Sequence, residues 1–250
     1  MKFSHLTVIL ALVLSLTAPG VALADTRSDF ARALRAIEQQ DYAGALSILD
    51  GVETGGDLAP ADQETILLYR ARLSAAQGGV GGAIEALEAA AKAYPESARP
   101  YHQLATLYQR DARYEDAAKA YATAIEKPEN ADNPLVLKLD YGWFLATCPD
   151  GKFRDGARAV SFAEEMLKSF AAQKHDPLPG TLFALQIFEV LAAAQAEAVA
   201  FDKAVAAASL ASNFRASLHK VLPATEFAKK DFDARVAGYK AGKPWRDPAP

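Results

Sequence analysis

"YHQLATLYQRDARYEDAAKAYATAIEKPE", residues 101–129, is the second copy of a pattern. The first copy is "LLYRARLSAAQGGVGGAIEALEAAAKAYP", residues 67–95. Superposed, Ala105 falls on Ala71, Ala117 on Ala83, Ala124 on Ala90, Tyr101 on Leu67 and Tyr114 on Val80, each pair 34 residues apart. A fixed period of this length marks stacked supersecondary units, each too small to bury its apolar face alone. Small residues at fixed points let two antiparallel helices approach closely, and the large residues between them fill the remaining volume. Gly78-Gly79 and Asp111-Ala112 separate the helices, and Pro95 and Pro128 end the units.

The pattern of aromatic, Leu, small, Tyr, then aromatic-x-x-Ala, aromatic, Ala in 101–125 resembles the tetratricopeptide repeat (TPR) family. Working outward, "DYAGALSILD" (41–50) has Tyr42 and Ala45 in the positions of Tyr114 and Ala117. Its first helix is expected over Ser28–Gln39, with Phe30, Leu34 and Ile37 on one face. "EVLAAAQAEAVAFDKAVAAASLA" (189–211) reads the same way through Ala192, Phe201 and Ala204. Val199 stands where the family has a turn glycine, which predicts a tighter or more helical turn there. The units fall near 28–52, 64–97, 98–131, 135–169 and 181–212, with a capping helix over 224–240. The fold class is all-α, a TPR-like solenoid of antiparallel helix pairs spanning 25–246, with a flexible tail over 241–250.

The unit near 135–169 departs from the rest. Gly142 to Ala159 spans 17 residues where Ala105 to Ala117 spans 12, and "CPDG" (148–151) lies in the added length. Pro149 stops one helix, Gly151 allows a turn, and Asp155 is placed to cap the next helix. The "LATCPDGKFRDGARAV" block (145–160) and the "YKAGKPWR" segment (239–246) resemble paired blocks of a subclass of bacterial TPR proteins. Cys148 is the only cysteine. A nucleophile needs a base and an orienting group, and His102, His175 and His219 sit in no protease signature. No Cys/His pairs have metal-ligand spacing. Cys148 is therefore expected to be a helix-end packing residue, and no catalytic residue, metal or cofactor is assigned.

Lys2, the apolar run Leu6–Ala18, the Pro19-Gly20 break and Ala22-Leu23-Ala24 have the layout of a secretory signal peptide over 1–24, cleaved after Ala24. The run is shorter than the roughly 20 residues that span a bilayer, so no stable membrane span is expected after cleavage. The expected location is periplasmic or secreted. Lys+Arg 27 against Asp+Glu 31 gives a net charge of −4, which argues against a nucleic-acid binder.

The TPR resemblance implies a concave surface lined by the first helix of each pair. Its positions fall on Arg72, Arg99, His102, Thr106, Gln109, Arg110 and Trp143, then on Glu189 and Glu197. Residues 99, 102, 106, 109 and 110 share one helical face. The arginine forks suit carboxylates, so the expected partner is a protein or peptide of acidic character. The function expected is a non-enzymatic interaction scaffold of the bacterial envelope. A cell-envelope hydrolase or peptidase with a site on the inserted loops, and a structural assembly subunit, are the alternatives. Oligomeric state is left open by the sequence.

Overall fold

The computed structural model describes residues 21–53, 59–127, 133–172, 177–221 and 229–248. The apolar run of the expected leader (6–18), Pro128, His175 and the expected start of the capping helix (224–228) lie outside the described residues. Eleven helices are described: α1 (Val21–Glu38), α2 (Tyr42–Glu53), α3 (Pro60–Ala76), α4 (Val80–Ala93), α5 (Arg99–Arg110), α6 (Tyr114–Ile125), α7 (Pro134–Thr147), α8 (Gly156–Ala171), α9 (Pro177–Glu197), α10 (Phe201–Val221) and α11 (Lys229–Lys240). No strand occurs among the described residues. The architecture is an all-α helical repeat. No described helix is long and apolar enough to cross a membrane.

The chain divides into two compact units, Met1–Leu107 and Tyr108–Pro250, with the division inside α5. In the first unit, Ala33, Ala45, Leu49, Val52, Ile66 and Leu73 form a buried cluster joined by Phe30, Ile37, Tyr42 and Tyr69. The Phe30 ring meets Tyr69 edge-on at 5.2 Å. In the second, Tyr121 stacks on Tyr141 at 5.1 Å and tilts against Phe144 at 5.5 Å. Leu185, Ala211, Leu218 and Phe232 form a further cluster, which Phe188, Phe214 and Val236 flank. Phe232 and Tyr239 of α11 are buried, as its apolar face requires.

Five helix ends share one closure. Gln40, Gly78, Ala112, Val199 and Gly242 all have positive φ, at 62°, 89°, 57°, 62° and 67°. Their N–H groups donate three residues back, to the carbonyls of Ile37, Ala75, Gln109, Ala196 and Tyr239. The next N–H groups donate five residues back: Asp41 to Ala36 (2.8 Å), Gly79 to Ser74 (2.9 Å), Arg113 to Tyr108 (2.8 Å), Ala200 to Gln195 (2.7 Å) and Lys243 to Gly238 (2.9 Å). This paired pattern is the Schellman motif, which occupies carbonyls that a helix end leaves without donors. In the first four, the residue four places into the next helix is an alanine: Ala45, Ala83, Ala117 and Ala204, each 0% exposed. A larger side chain there would overpack the hairpin.

The Val199 turn is thus not tighter or more helical than its counterparts. It is the same closure, with a β-branched residue forced into the left-handed region at 75% exposure. That conformation costs an L-residue roughly 1–2 kcal/mol, and nothing in its exposed surroundings offsets it. Val199→Gly is therefore expected to raise stability by about 1 kcal/mol despite glycine's greater freedom when unfolded. Urea unfolding of the two chains checks this.

Candidate functional site

Helix α5 carries most of the positions that the sequence assigns to a partner. Leu104, Ala105, Leu107 and Tyr108 are buried, while His102, Thr106 and Gln109 are half-buried and Arg110 is exposed. The Thr106 hydroxyl donates to the Gln103 carbonyl at 2.8 Å, and Gln109 Oε1 accepts from the Tyr121 hydroxyl at 3.3 Å. Arg72, on α3, is exposed, with its guanidinium 5.8 Å from the Tyr69 ring centre.

Two of the expected residues do other work. The Arg99 guanidinium donates to Glu64 at 3.2 Å and to the Thr65 hydroxyl at 3.0 Å. Its side chain is only 14% exposed and that of Glu64 8%, so Arg99 neutralises a carboxylate that α3 has taken out of water. Arg99 thus serves the packing of α5 on α3, and its fork is already engaged. Trp143 is buried in this arrangement rather than open to a groove. It is 6% exposed, and the Arg235 guanidinium lies 5.2 Å from its ring centre.

Glu189 and Glu197, the acidic positions of the implied surface, are each shared by two arginines. Glu189 pairs with Arg215 and, at 3.3 Å, with Arg235. Glu197 pairs with Arg154 at 3.0 Å and with Arg246.

The end of α7 explains the second of these clusters. Cys148 still donates its N–H to the Phe144 carbonyl at 3.0 Å. Pro149 has no N–H, so the motif that closes the other first helices cannot form there. The remaining carbonyls find other donors. Asp155 N–H reaches Leu145 at 2.9 Å, Arg246 reaches Ala146 at 3.5 Å, and Asp247 N–H reaches Thr147 at 3.0 Å. Arg154 donates to Cys148 at 2.8 Å and to Pro149 at 3.1 Å. Asp155 caps the next helix as the sequence implies, accepting from Arg158 N–H at 2.9 Å, and Asp150 adds a second cap by accepting from Lys152 N–H at 3.0 Å. The following alanine, Ala159, is 0% exposed like its counterparts.

Asp247 completes the arrangement. Its carboxylate accepts from the Trp143 indole N–H at 2.7 Å and from the Trp245 indole at 3.3 Å. The Thr147 hydroxyl lies 3.0 Å from it and 2.8 Å from the Trp143 carbonyl, with one proton to share between them. The expectation of a flexible tail therefore does not describe residues 243–247, which are tied to α7 and α9 by main chain and side chains alike. Sequence reasoning passed over Arg154, Arg246 and Asp247. The available signal was the joint occurrence of the 145–160 block and the 239–246 segment, which are now seen to touch.

Within this arrangement Cys148 is 0% exposed, and burial pushes its thiol pKa up, with smaller contributions of both signs from Asp150, Arg154 and Asp247. Among the described residues no group of three or more His, Cys, Asp or Glu side chains is placed to hold a metal ion.

No family model matches the chain, and no curated protein matches it significantly. Solved structures do. BtubC (BKLC) from P. vanneervenii is similar at 19% identity over 80% of this chain and 93% of its own, with a TM-score of 0.61. The nearly identical TPR-like repeats described for kinesin light chain from Podosopora anserina are similar at 17% identity, over 78% of this chain and 97% of theirs, with a TM-score of 0.56. The fold is TPR-like.

A raised thiol pKa leaves less thiolate at any pH below it, and full burial removes access as well. Cys148 in the native protein is expected to resist a disulfide reagent at mildly alkaline pH, reacting only as fast as local opening exposes it. Rapid stoichiometric labelling of the folded protein would show that the thiol is open.

Proposed function

We propose that the protein is a non-enzymatic interaction scaffold of the bacterial envelope, which holds a protein or peptide partner against the polar side of its first helices. The observation that carries the reading is the division of labour on α5. Its apolar side chains are spent on packing, while His102, Thr106, Gln109 and Arg110 remain at least partly accessible. A TPR-like fold presents such faces repeatedly, which suits binding of an extended segment. The export pattern at residues 1–24 supports the envelope location. The buried, pKa-raised thiol of Cys148 favours the scaffold over a hydrolase built on the inserted loop. Arg72 and Arg110 are the basic residues on these positions that remain exposed, so they carry the preference for an acidic partner.

Arg99 is left out of the test, because its removal would strand the buried Glu64 carboxylate. Arg72→Glu/Arg110→Glu should keep the wild-type helix content and melting temperature, since exposed charges contribute little to stability. The same double variant should lose the partner that wild type captures from envelope fractions at low salt, and wild type should release it at high salt. Mass spectrometry of the exported chain should find Asp25 at the N-terminus. Undiminished capture by the double variant would remove these arginines from the interface, and a cytosolic chain beginning at Met1 would remove the envelope assignment.

A further inference from the structure

The segment that follows α11 behaves as a peptide lying on a protein. After Gly242 the chain closes its helix with the same motif that elsewhere introduces a second helix, yet residues 243–248 adopt no regular structure. Pro244, Trp245, Arg246 and Asp247 are each only half-buried. What fastens them is polar and sequence-specific. Arg246 is read by Glu197, whose carboxylate Arg154 holds in place from the other side. The Asp247 side chain is read by Trp143 and Thr147, and its main-chain N–H by the Thr147 carbonyl at 3.0 Å. An arginine met by a carboxylate, an aspartate met by two donors and a backbone N–H met by a helix-end carbonyl form a recognition set for a dipeptide. Trp143 and Glu197 are also two of the positions that the sequence assigns to a partner.

We propose that the end of α7 and Glu197 of α9 form a peptide-recognition site, occupied in cis by the chain's own Arg246-Asp247, and that a segment bearing the same dipeptide displaces it. The cis segment is then a self-ligand that lowers the apparent affinity for any competitor by the fraction of time it is seated. Opening requires no change in helix packing, because the Ala146 and Thr147 carbonyls that it uncovers can be met by water. The inference concerns only the second unit and does not rest on the reading of α5.

The test uses the full chain and a fluorescein-labelled peptide of residues 240–250, followed by anisotropy. Full-length Arg246→Ala/Asp247→Ala is expected to bind this peptide at least about tenfold more tightly than wild type, because its own segment no longer competes. A peptide carrying the same two alanines should bind the variant at least about tenfold more weakly than the natural peptide. Equal binding to variant and wild type, or equal binding of the two peptides, overturns the proposal. Circular dichroism and a cooperative melt establish that the variant is folded. Amide hydrogen exchange on wild type gives a reading that does not depend on the variant. The Asp247 amide should exchange at least about tenfold faster than the Cys148 amide, since the segment opens locally while α7 stays formed. Equal exchange rates would mean that the segment leaves only when the unit unfolds, and would overturn the proposal.

Discussion

A helix cannot end inside a packed protein until its last carbonyl groups have donors, and that requirement organises this chain. Five helix ends meet it by turning one residue into the left-handed region and folding two N–H groups back, at Gln40, Gly78, Ala112, Val199 and Gly242. The geometry of that turn sets where the next helix starts, and so which residue faces its partner at closest approach. The residue is alanine each time a helix follows, at Ala45, Ala83, Ala117 and Ala204. The 34-residue period in the sequence is the visible trace of this coupling between closure and packing.

α7 keeps the alanine, at Ala159, and loses the turn. Pro149 supplies no N–H where one is needed, and the five added residues bring Arg154 and Asp155 to do part of the work. The rest comes from about a hundred residues away. Arg246 and Asp247 serve the Ala146 and Thr147 carbonyls, and the two arginines beside Glu197 hold a half-buried carboxylate that neither could neutralise as well alone. A stretch that looks like a catalytic loop around a lone cysteine is thereby a capping device, with the thiol sealed beneath it.

The hairpins were legible because periodicity and small-residue spacing are local signals. Tyr42, Tyr114 and Phe201 announce second helices, and Asp155 announces a helix start. The Val199 turn was misjudged because propensity argues against a β-branched residue at positive φ, whereas the hairpin's packing imposes that conformation anyway. The site was less legible. Arg99, Trp143, Glu189 and Glu197 occupy first-helix positions that suggest a groove, but their partners, Glu64, Asp247 and several arginines, are distant in sequence. Helical periodicity specifies which side of a helix a residue is on. It carries no information about a chain end that returns to cover that side.

The central claim is that Asp247 caps α7 through Trp143 and Thr147. A double-mutant cycle between Trp143→Phe and Asp247→Ala tests it directly, since phenylalanine keeps an aromatic ring beneath Arg235 while removing the indole donor. Measured by urea unfolding of the full chain, the two changes should be non-additive by about 1–3 kcal/mol, the value of a hydrogen bond to a charged group in contact with its neighbours. Additivity within about 0.5 kcal/mol would contradict the account, because it would mean that the two residues do not sense one another in the folded protein.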